Sequence, residues 1–347
     1  MRYYVQFNAG LGELIMSSLR QDLKRVKVVF QDDSSAVLDS GARAEDVAGI
    51  SYLKNAFLVL GEAKRGAGLP GAIQALTSQL KRPDFIRLAP KKRPFRIMAT
   101  VDGELVGLPR DGKSRLENAI AARTNGRVEA RGSGVEYWII GRRELGTFLF
   151  GLKLPKKKGS PTPKGALNAE LAEMLVRAVP PKHEDVFLDP FAGRGSLVLA
   201  RLKYPARRII YSDIDYRVFK RDFQPELART KRVEFMSEDA LDLPSIADKS
   251  VDVVVTDPPW GEYEELDASY DEFALNVARS LDRVLKPSGR FVVLINRRQE
   301  GILQSAFHKY GLETSAIHQI LVNGHPASVL AGGRASIDST SDSGSAR

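Results

Sequence analysis

The stretch Val186-Phe-Leu-Asp-Pro-Phe-Ala-Gly-Arg-Gly-Ser196 decides the fold class of this chain. An apolar run, 186–188, leads to a carboxylate at Asp189, and a Gly-X-Gly turn then opens the next helix. In a doubly wound sheet such a turn lies at the carboxyl end of the strands, where ligands bind. Gly193 and Gly195 let the backbone approach a ligand without a Cβ in the way. About two dozen residues beyond Asp189, Ile209-Ile-Tyr-Ser-Asp-Ile-Asp215 puts Asp213 at the tip of the following strand, where an acid can hold both hydroxyls of a ribose. Asp239, in Ser237-Glu-Asp-Ala240, ends a third strand, where it can meet an adenine edge.

Outward from this stretch the pattern is a β-α alternation. Helices are expected over 167–179, 196–202, from 216 and over 271–285. Strands are expected over 186–188, 208–211, 233–236, 251–256 and 291–296. Such alternation predicts a mostly parallel sheet covered by helices on both faces, a Rossmann-like α/β domain over residues 166–334. A nicotinamide-binding fold shares the spacing. However, its fingerprint has a third glycine where this chain has Val198, and a pyrophosphate would be repelled by Asp189. A ligand with a cationic amino-acid head suits that carboxylate better.

The second informative stretch is Val253-Val-Val-Thr-Asp-Pro-Pro-Trp-Gly261. Asp257 ends a buried strand. Pro258 and Pro259 fix φ and remove two donors, so carbonyls and the Asp257 carboxylate face outward as acceptors. Trp260 supplies a flat surface against which a base can stack. Acceptors beside an aromatic plate are what an exocyclic NH2 requires. Its lone pair is delocalised into the ring, and hydrogen bonds from both amino protons localise it for attack. A rigid Pro-Pro turn beside a core Trp is the structural alternative.

Residues 1–90 are expected to form a small α+β unit, with strands over 3–7, 26–30, 35–38 and 56–61 and helices over 10–20 and 69–79. A second piece, 91–152, has strands over 95–101, 135–140 and 146–151 and a helix over 113–123. Arg96, Arg123, Arg127, Arg131, Arg142 and Arg143 suggest a basic face there, with a solvated surface as the competing reading. Residues 153–165 read as a linker with five lysines, and 335–347 as a disordered tail.

The net charge of +9 favours polyanionic partners, because Lys and Arg that neutralise phosphates release counterions. There is no cysteine, which excludes disulfides and thiolate metal sites. His183, His308, His318 and His325 lack metal-ligand spacing. No segment approaches the ~20 apolar residues that cross a bilayer. A soluble, cytoplasmic protein is the expectation.

The order Asp189-Pro-Phe-Ala-Gly-Arg-Gly-Ser, Ser212-Asp-Ile-Asp, Glu238-Asp-Ala, Asp257-Pro-Pro-Trp-Gly resembles class I methyltransferases that modify exocyclic amines. Lys164-Gly-Ala-Leu-Asn-Ala-Glu-Leu-Ala and Tyr4-Val-Gln-Phe-Asn-Ala-Gly-Leu-Gly-Glu-Leu resemble the lead-in segment and ferredoxin-like domain of THUMP-containing tRNA guanine-N2 methyltransferases. Residues 95–152 are a weaker match to THUMP itself. The resemblance implies S-adenosylmethionine held by Asp189, Pro190, Phe191, Ala192, Gly193, Gly195, Asp213, Ile214, Asp239, Ala240 and Asp257, with no metal. It places the target base at Asp257, Pro258, Pro259 and Trp260. It also implies an RNA partner, expected to be tRNA, and a monomer, with a small activator subunit left open. Another exocyclic amine (guanine N2 in rRNA or adenine N6), or a non-catalytic RNA-binding protein on this fold, are the alternatives. The sequence departs from the family at Ala192-Gly-Arg-Gly-Ser, where Cys-Gly-Ser-Gly-Thr is frequent, and at Trp260, where Tyr or Phe is usual. Glu262, Glu264 and Glu265 could line the mouth of the site, though a solvated loop is the plainer reading.

Overall fold

A computed structural model describes residues 1–129, 134–156, 162–261 and 269–334. The tail 335–347, Arg131, most of the lysine run at 156–158, and Glu262, Glu264 and Glu265 lie outside the described residues. The chain divides into two compact units, 1–158 and 159–347.

The first unit opens with β1 (Arg2–Gln6), α1 (Gly12–Asp22), β2 (Lys27–Gln31), β3 (Ser35–Asp39), α2 (Ala44–Ala48) and β4 (Asn55–Lys64). With β1 between β3 and β4 and β2 outside β3, this is the β-α-β-β-α-β connectivity of a ferredoxin-like unit. Then follow α3 (Gly68–Gln79), α4 (Pro83–Leu88), β5 (Phe95–Val101), β6 (Glu104–Leu105), α5 (Arg110–Thr124), β7 (Val135–Gly141) and β8 (Thr147–Lys153). Because β8 pairs antiparallel with β4, both segments share one eight-stranded sheet, ordered β2-β3-β1-β4-β8-β7-β5-β6.

Two arginines of the expected basic face are used inside this unit. Arg96 pairs with Glu136, which also takes Lys153 and the Trp138 indole N–H. Arg142 donates to the Tyr4 hydroxyl at 3.1 Å and to Ser34 at 3.0 Å, and lies 3.5 Å from Asp32. Their charge braces the sheet rather than facing a partner.

The second unit contains α6 (Ala169–Ala178), β9 (Val186–Asp189), α7 (Ser196–Arg201), β10 (Arg208–Ser212), α8 (Tyr216–Phe219), α9 (Pro225–Arg229) and β11 (Glu234–Met236). It continues with β12 (Val251–Thr256), α10 (Tyr270–Val284), β13 (Leu285–Asn296), α11 (Glu300–Lys309), β14 (Leu312–Val322) and β15 (His325–Arg334). The sheet order is β11-β10-β9-β12-β13-β15-β14, and the first five strands are parallel. β15 inserts antiparallel between β13 and β14. The predicted Rossmann-like sheet is therefore present, with an antiparallel hairpin added at one edge.

Chemistry at the chain level explains these elements. Asn168 caps α6 by accepting from the Leu171 N–H at 2.8 Å, so the helix starts two residues later than its apolar pattern suggests. On α10, Phe273, Val277, Leu281 and Val284 recur at helical spacing and bury against Phe291, Val293 and Ile295, alternate residues of β13. The opposite residues of β13, Val292 and Leu294, are also fully buried, as a strand covered on both faces requires.

The hairpin allows a direct test of packing. A Cβ at Gly332 in β15 would lie 2.0 Å from the Glu313 carbonyl and 2.7 Å from Phe291. At Gly301 in α11 it would meet nothing within 4 Å. Gly332→Ala should cost about 1–3 kcal/mol through overpacking. Gly301→Ala should be neutral or slightly stabilising, because alanine favours helix. Thermal unfolding of the two variants checks the contrast.

Candidate active site

Parallel strands with helical crossovers leave a crevice at their carboxyl ends, beside the point where the chain order reverses. Here β9 and β12 are neighbours, and the loops following them line a cavity of about 580 Å³ with the tip of β10. Of the expected site residues, Asp189, Phe191, Ala192, Gly193, Asp213, Ile214, Asp257, Pro258, Pro259 and Trp260 all line it.

Asp189 lies at the buried end of β9, 1% exposed. The hydroxyl of Thr256, the last residue of β12, donates to its Oδ1 at 2.9 Å. Burial pushes the Asp189 carboxyl well above the usual carboxylate range, and the charges of Asp213 and Asp257 push it further. The Thr256 hydroxyl and the Phe191 N–H oppose that shift without cancelling it.

The glycine loop is held by the neighbouring strand. Gly193 (φ +50°) donates its N–H to Asp213 Oδ2 at 2.7 Å, and the Tyr211 hydroxyl donates to the Gly193 carbonyl at 2.5 Å. Asp213 Oδ1 accepts from the Asp215 N–H at 2.8 Å. Burial raises the Asp213 pKa, the two N–H groups pull against it, and Asp215 adds to it. A carboxylate offers about four lone-pair positions, so two accepted bonds leave Asp213 capacity for a ligand. Gly195 has φ +77°, and a Cβ there would fall 2.2 Å from Leu227. Gly193 needs glycine for its backbone angle alone, since the space beside it is open. Between them, Arg194 pairs with Asp222 at 2.5 Å and lies over the Phe219 ring.

At the end of β12 the Trp260 indole N–H donates to Asp257 Oδ1 at 3.0 Å. The Gln299 side-chain amide, just past β13, donates to the Trp260 carbonyl. The acceptor carboxylate and the aromatic plate are thus tied to each other, and the plate's backbone is tied to the next strand.

The remaining expected residues lie elsewhere. Pro190 is buried behind the lining. Asp239 is exposed and outside the cavity lining, because β11 ends at Met236 and Asp239 folds into a turn, accepting from the Leu241 N–H at 2.9 Å. Ala240 is buried, its carbonyl accepting from the Ser280 hydroxyl at 2.7 Å. Sequence reasoning misses Thr256, Tyr211, Gln299 and the lining role of the 164–167 segment. Thr256 alone carries a signal, as a polar residue ending an otherwise apolar strand. Among the described residues no group of His, Asp or Glu is arranged to hold a metal, and no helix is long and apolar enough to cross a membrane.

Residues 160–325, just under half of the chain, match the family model UPF0020, described as an RMKL-like methyltransferase domain. No curated protein matches. Among solved structures, TrmN from Thermus thermophilus superposes with a TM-score of 0.75 at 18% identity, over 96% of this chain and 99% of that one. SMU.472, assigned as a methyltransferase and complexed with SAH, gives 0.65 at 12% identity, over 95% and 97%. A predicted N6-adenine-specific DNA methylase from Listeria monocytogenes str. 4b F2365 gives 0.64 at 14%, over 95% of each chain. At these identities the likeness is one of fold, and it extends through both units.

Asp189→Asn tests the electrostatics. A carboxyl whose folded pKa is raised favours folding only while protonated. That contribution is full below the unfolded pKa and is lost as pH rises through the folded value. The amide cannot ionise, so the variant should match the parent chain at acid pH and unfold at a higher temperature near neutrality. A stability difference that shrinks as pH rises would refute this assignment of charge.

Proposed function

We propose that this chain is an S-adenosylmethionine-dependent RNA methyltransferase that modifies an exocyclic base amine, specifically N2 of a guanosine in tRNA. The observation that carries the reading is the convergence of Asp189, Asp213 and Asp257 with Trp260 on one cavity within a methyltransferase-domain match.

The residues fit S-adenosylmethionine. Its ammonium and sulfonium charges suit a cavity whose carboxylates repel one another, and a cation beside Asp189 would offset the penalty that burial imposes. The open space at Gly193 lets the ligand approach the loop backbone. The remaining lone pairs of Asp213 would accept ribose hydroxyls. When bound, the cofactor supplies an electrophilic methyl group. The protein's task is to aim a nitrogen lone pair at it.

Asp257 and the Pro258 carbonyl would accept the two amino protons and localise that lone pair. Trp260 would stack the base, and its N–H holds the carboxylate so that acceptor and plate are oriented before the base arrives. The nitrogen would gain the methyl carbon as the carbon–sulfur bond breaks to leave a neutral thioether, and it would shed its extra proton toward Asp257. A paired base cannot reach this cavity, so flipping of the nucleotide is expected. The N-terminal unit would dock folded RNA by shape and phosphate contacts. Guanine N2 in rRNA or adenine N6 would use the same acceptors.

Incubation with total tRNA and labelled S-adenosylmethionine, followed by nucleoside identification, should yield N2-methylguanosine. Label in N6-methyladenosine would establish the other amine, and label confined to carbon-methylated nucleosides would refute the mechanism. Asp257→Ala should lower kcat by about 10²–10³-fold or more while the calorimetric affinity for the cofactor stays nearly intact. An equal loss of cofactor affinity would contradict the role given to Asp257. Trp260→Phe keeps a stacking ring but loses the indole N–H, so kcat should fall with little change in KM for RNA. Trp260→Ala should also raise KM, by a stacking loss of about 1–3 kcal/mol.

A further inference from the structure

The N-terminal unit holds a cup of about 570 Å³ that belongs to neither cofactor nor base. It is built across the ferredoxin-like sheet. Lys27 on β2 stands opposite Asp39 on β3, which stands opposite Arg2 on β1. Arg2 is tied to both acids: Nε and Nη2 donate to the two Asp39 oxygens at 2.9 Å each, and Nη1 donates to Glu62 at 2.6 Å. The Arg2 bonds hold the Asp39 carboxyl below its ordinary range. One guanidinium thus engages both carboxylates of the cup and offsets half of their charge.

Three further cations line the cup from separate parts of the chain: Arg25, Lys27 and Arg82. All three are exposed, and none has a carboxylate within ion-pair distance among the described residues. Their positions are fixed by the backbone. The Ser40 hydroxyl and the Gly41 N–H both donate to the Lys24 carbonyl, at 2.7 and 3.1 Å, next to Arg25, which has φ +53°. A non-glycine residue in that region is uncommon and persists where its surroundings enforce it. On the far side, the Gln79 amide donates to the Glu62 carbonyl at 2.7 Å and accepts from the Glu62 N–H at 3.3 Å. This double bond to β4, beyond the register shift at Val59/Gly61, sets where α3 ends and where Arg82 follows. The Met1 amine also lines the cup, donating to the Ser40 carbonyl at 2.6 Å.

We propose that this cup is a phosphate-binding subsite for the RNA substrate, with Arg25, Lys27 and Arg82 neutralising backbone phosphates. The proposal rests on the RNA reading above. Arg2 weakens the repulsion that Asp39 and Glu62 would exert on a phosphate, and with Arg25, Lys27 and Arg82 the cationic side chains of the cup outnumber its two acids. Nothing here reads base identity, so the subsite sets register and contributes affinity without sequence preference.

Counterion release gives a quantitative test. The affinity of the full chain for a folded tRNA transcript is measured by fluorescence anisotropy across a series of KCl concentrations. Removing one phosphate-neutralising cation should reduce the slope of log K against log salt by about one. The variants R25Q, K27Q and R82Q should each show that decrement, and the triple variant a decrement of about three. Affinity for S-adenosylmethionine should be unchanged in all of them. RNA binding by the parent chain with an undiminished slope in the variants would overturn the subsite alone. Absence of RNA binding by the parent chain would overturn the RNA reading and the subsite together. The single variants change only exposed side chains, so the assignment stays testable even if the triple variant unfolds.

Discussion

The buried carboxylate of Asp189 is the constraint on which the rest of the catalytic unit depends. A charge at the closed end of a parallel strand is costly, and three more acids, Asp213, Asp215 and Asp257, line the same cavity. One hydroxyl, from Thr256, and one backbone N–H offset only part of that cost. The unit is therefore built with a deficit that a cationic ligand can fill. Ligand affinity and unliganded stability are opposed at this residue, a trade often found at functional sites. The same deficit would make an anionic dinucleotide a poor occupant, although its fold shares the order of the five parallel strands.

Around that constraint the structure uses neighbouring strands to hold each functional loop. The Gly193 loop after β9 is held by Asp213 and Tyr211, both from β10 and its tip. Tyr211 is itself packed among the rings of Tyr216, Phe223 and Phe235. The Asp257–Trp260 turn after β12 is held by Gln299 beyond β13. Each brace comes from one strand over, so disturbing a strand's register would displace the loop beside it. On the proposed reading Asp213 would have two duties, since the oxygens that would hold a ribose also fix the loop that would approach the ligand.

Much of this is legible in the sequence, for reasons that mark where such reading stops. Strands 251–256 and 95–101 are bounded correctly because their apolar runs are flanked by residues that end strands. The cavity-lining acids can be found because strand tips in this topology point to one place. Asp239 lies outside the cavity lining although β11 ends where the pattern predicts, at Met236, because the residues that follow carry the acid into an exposed turn. The edge hairpin is passed over although Asn323-Gly324 signals it. Both residues adopt positive φ, as a type I′ turn requires, and Val322 pairs with His325 across it. Braces such as Gln299 to Trp260 carry no sequence signal, because an amide meeting a distant carbonyl leaves no periodic trace.

The net charge shows the same limit from the other side. A surplus of +9 predicts a polyanionic partner but not where it sits. Two of the arginines that stand out in 91–152, Arg96 and Arg142, serve as internal braces with their charge matched by nearby acids. Arg201, 1% exposed, is spent on Asp185 inside the catalytic unit, and Arg290 meets the same acid. What matters for binding is the charge that remains after such pairings, and a linear sequence does not reveal them. Arg25, Lys27 and Arg82 look unremarkable in the chain because they are far apart in it. They become a surface only because β2, β3, β1 and β4 lie side by side, so that residues from each of these strands and from the segment after α3 line one cup. Fold topology, not local composition, turns a diffuse positive charge into a place for a phosphate.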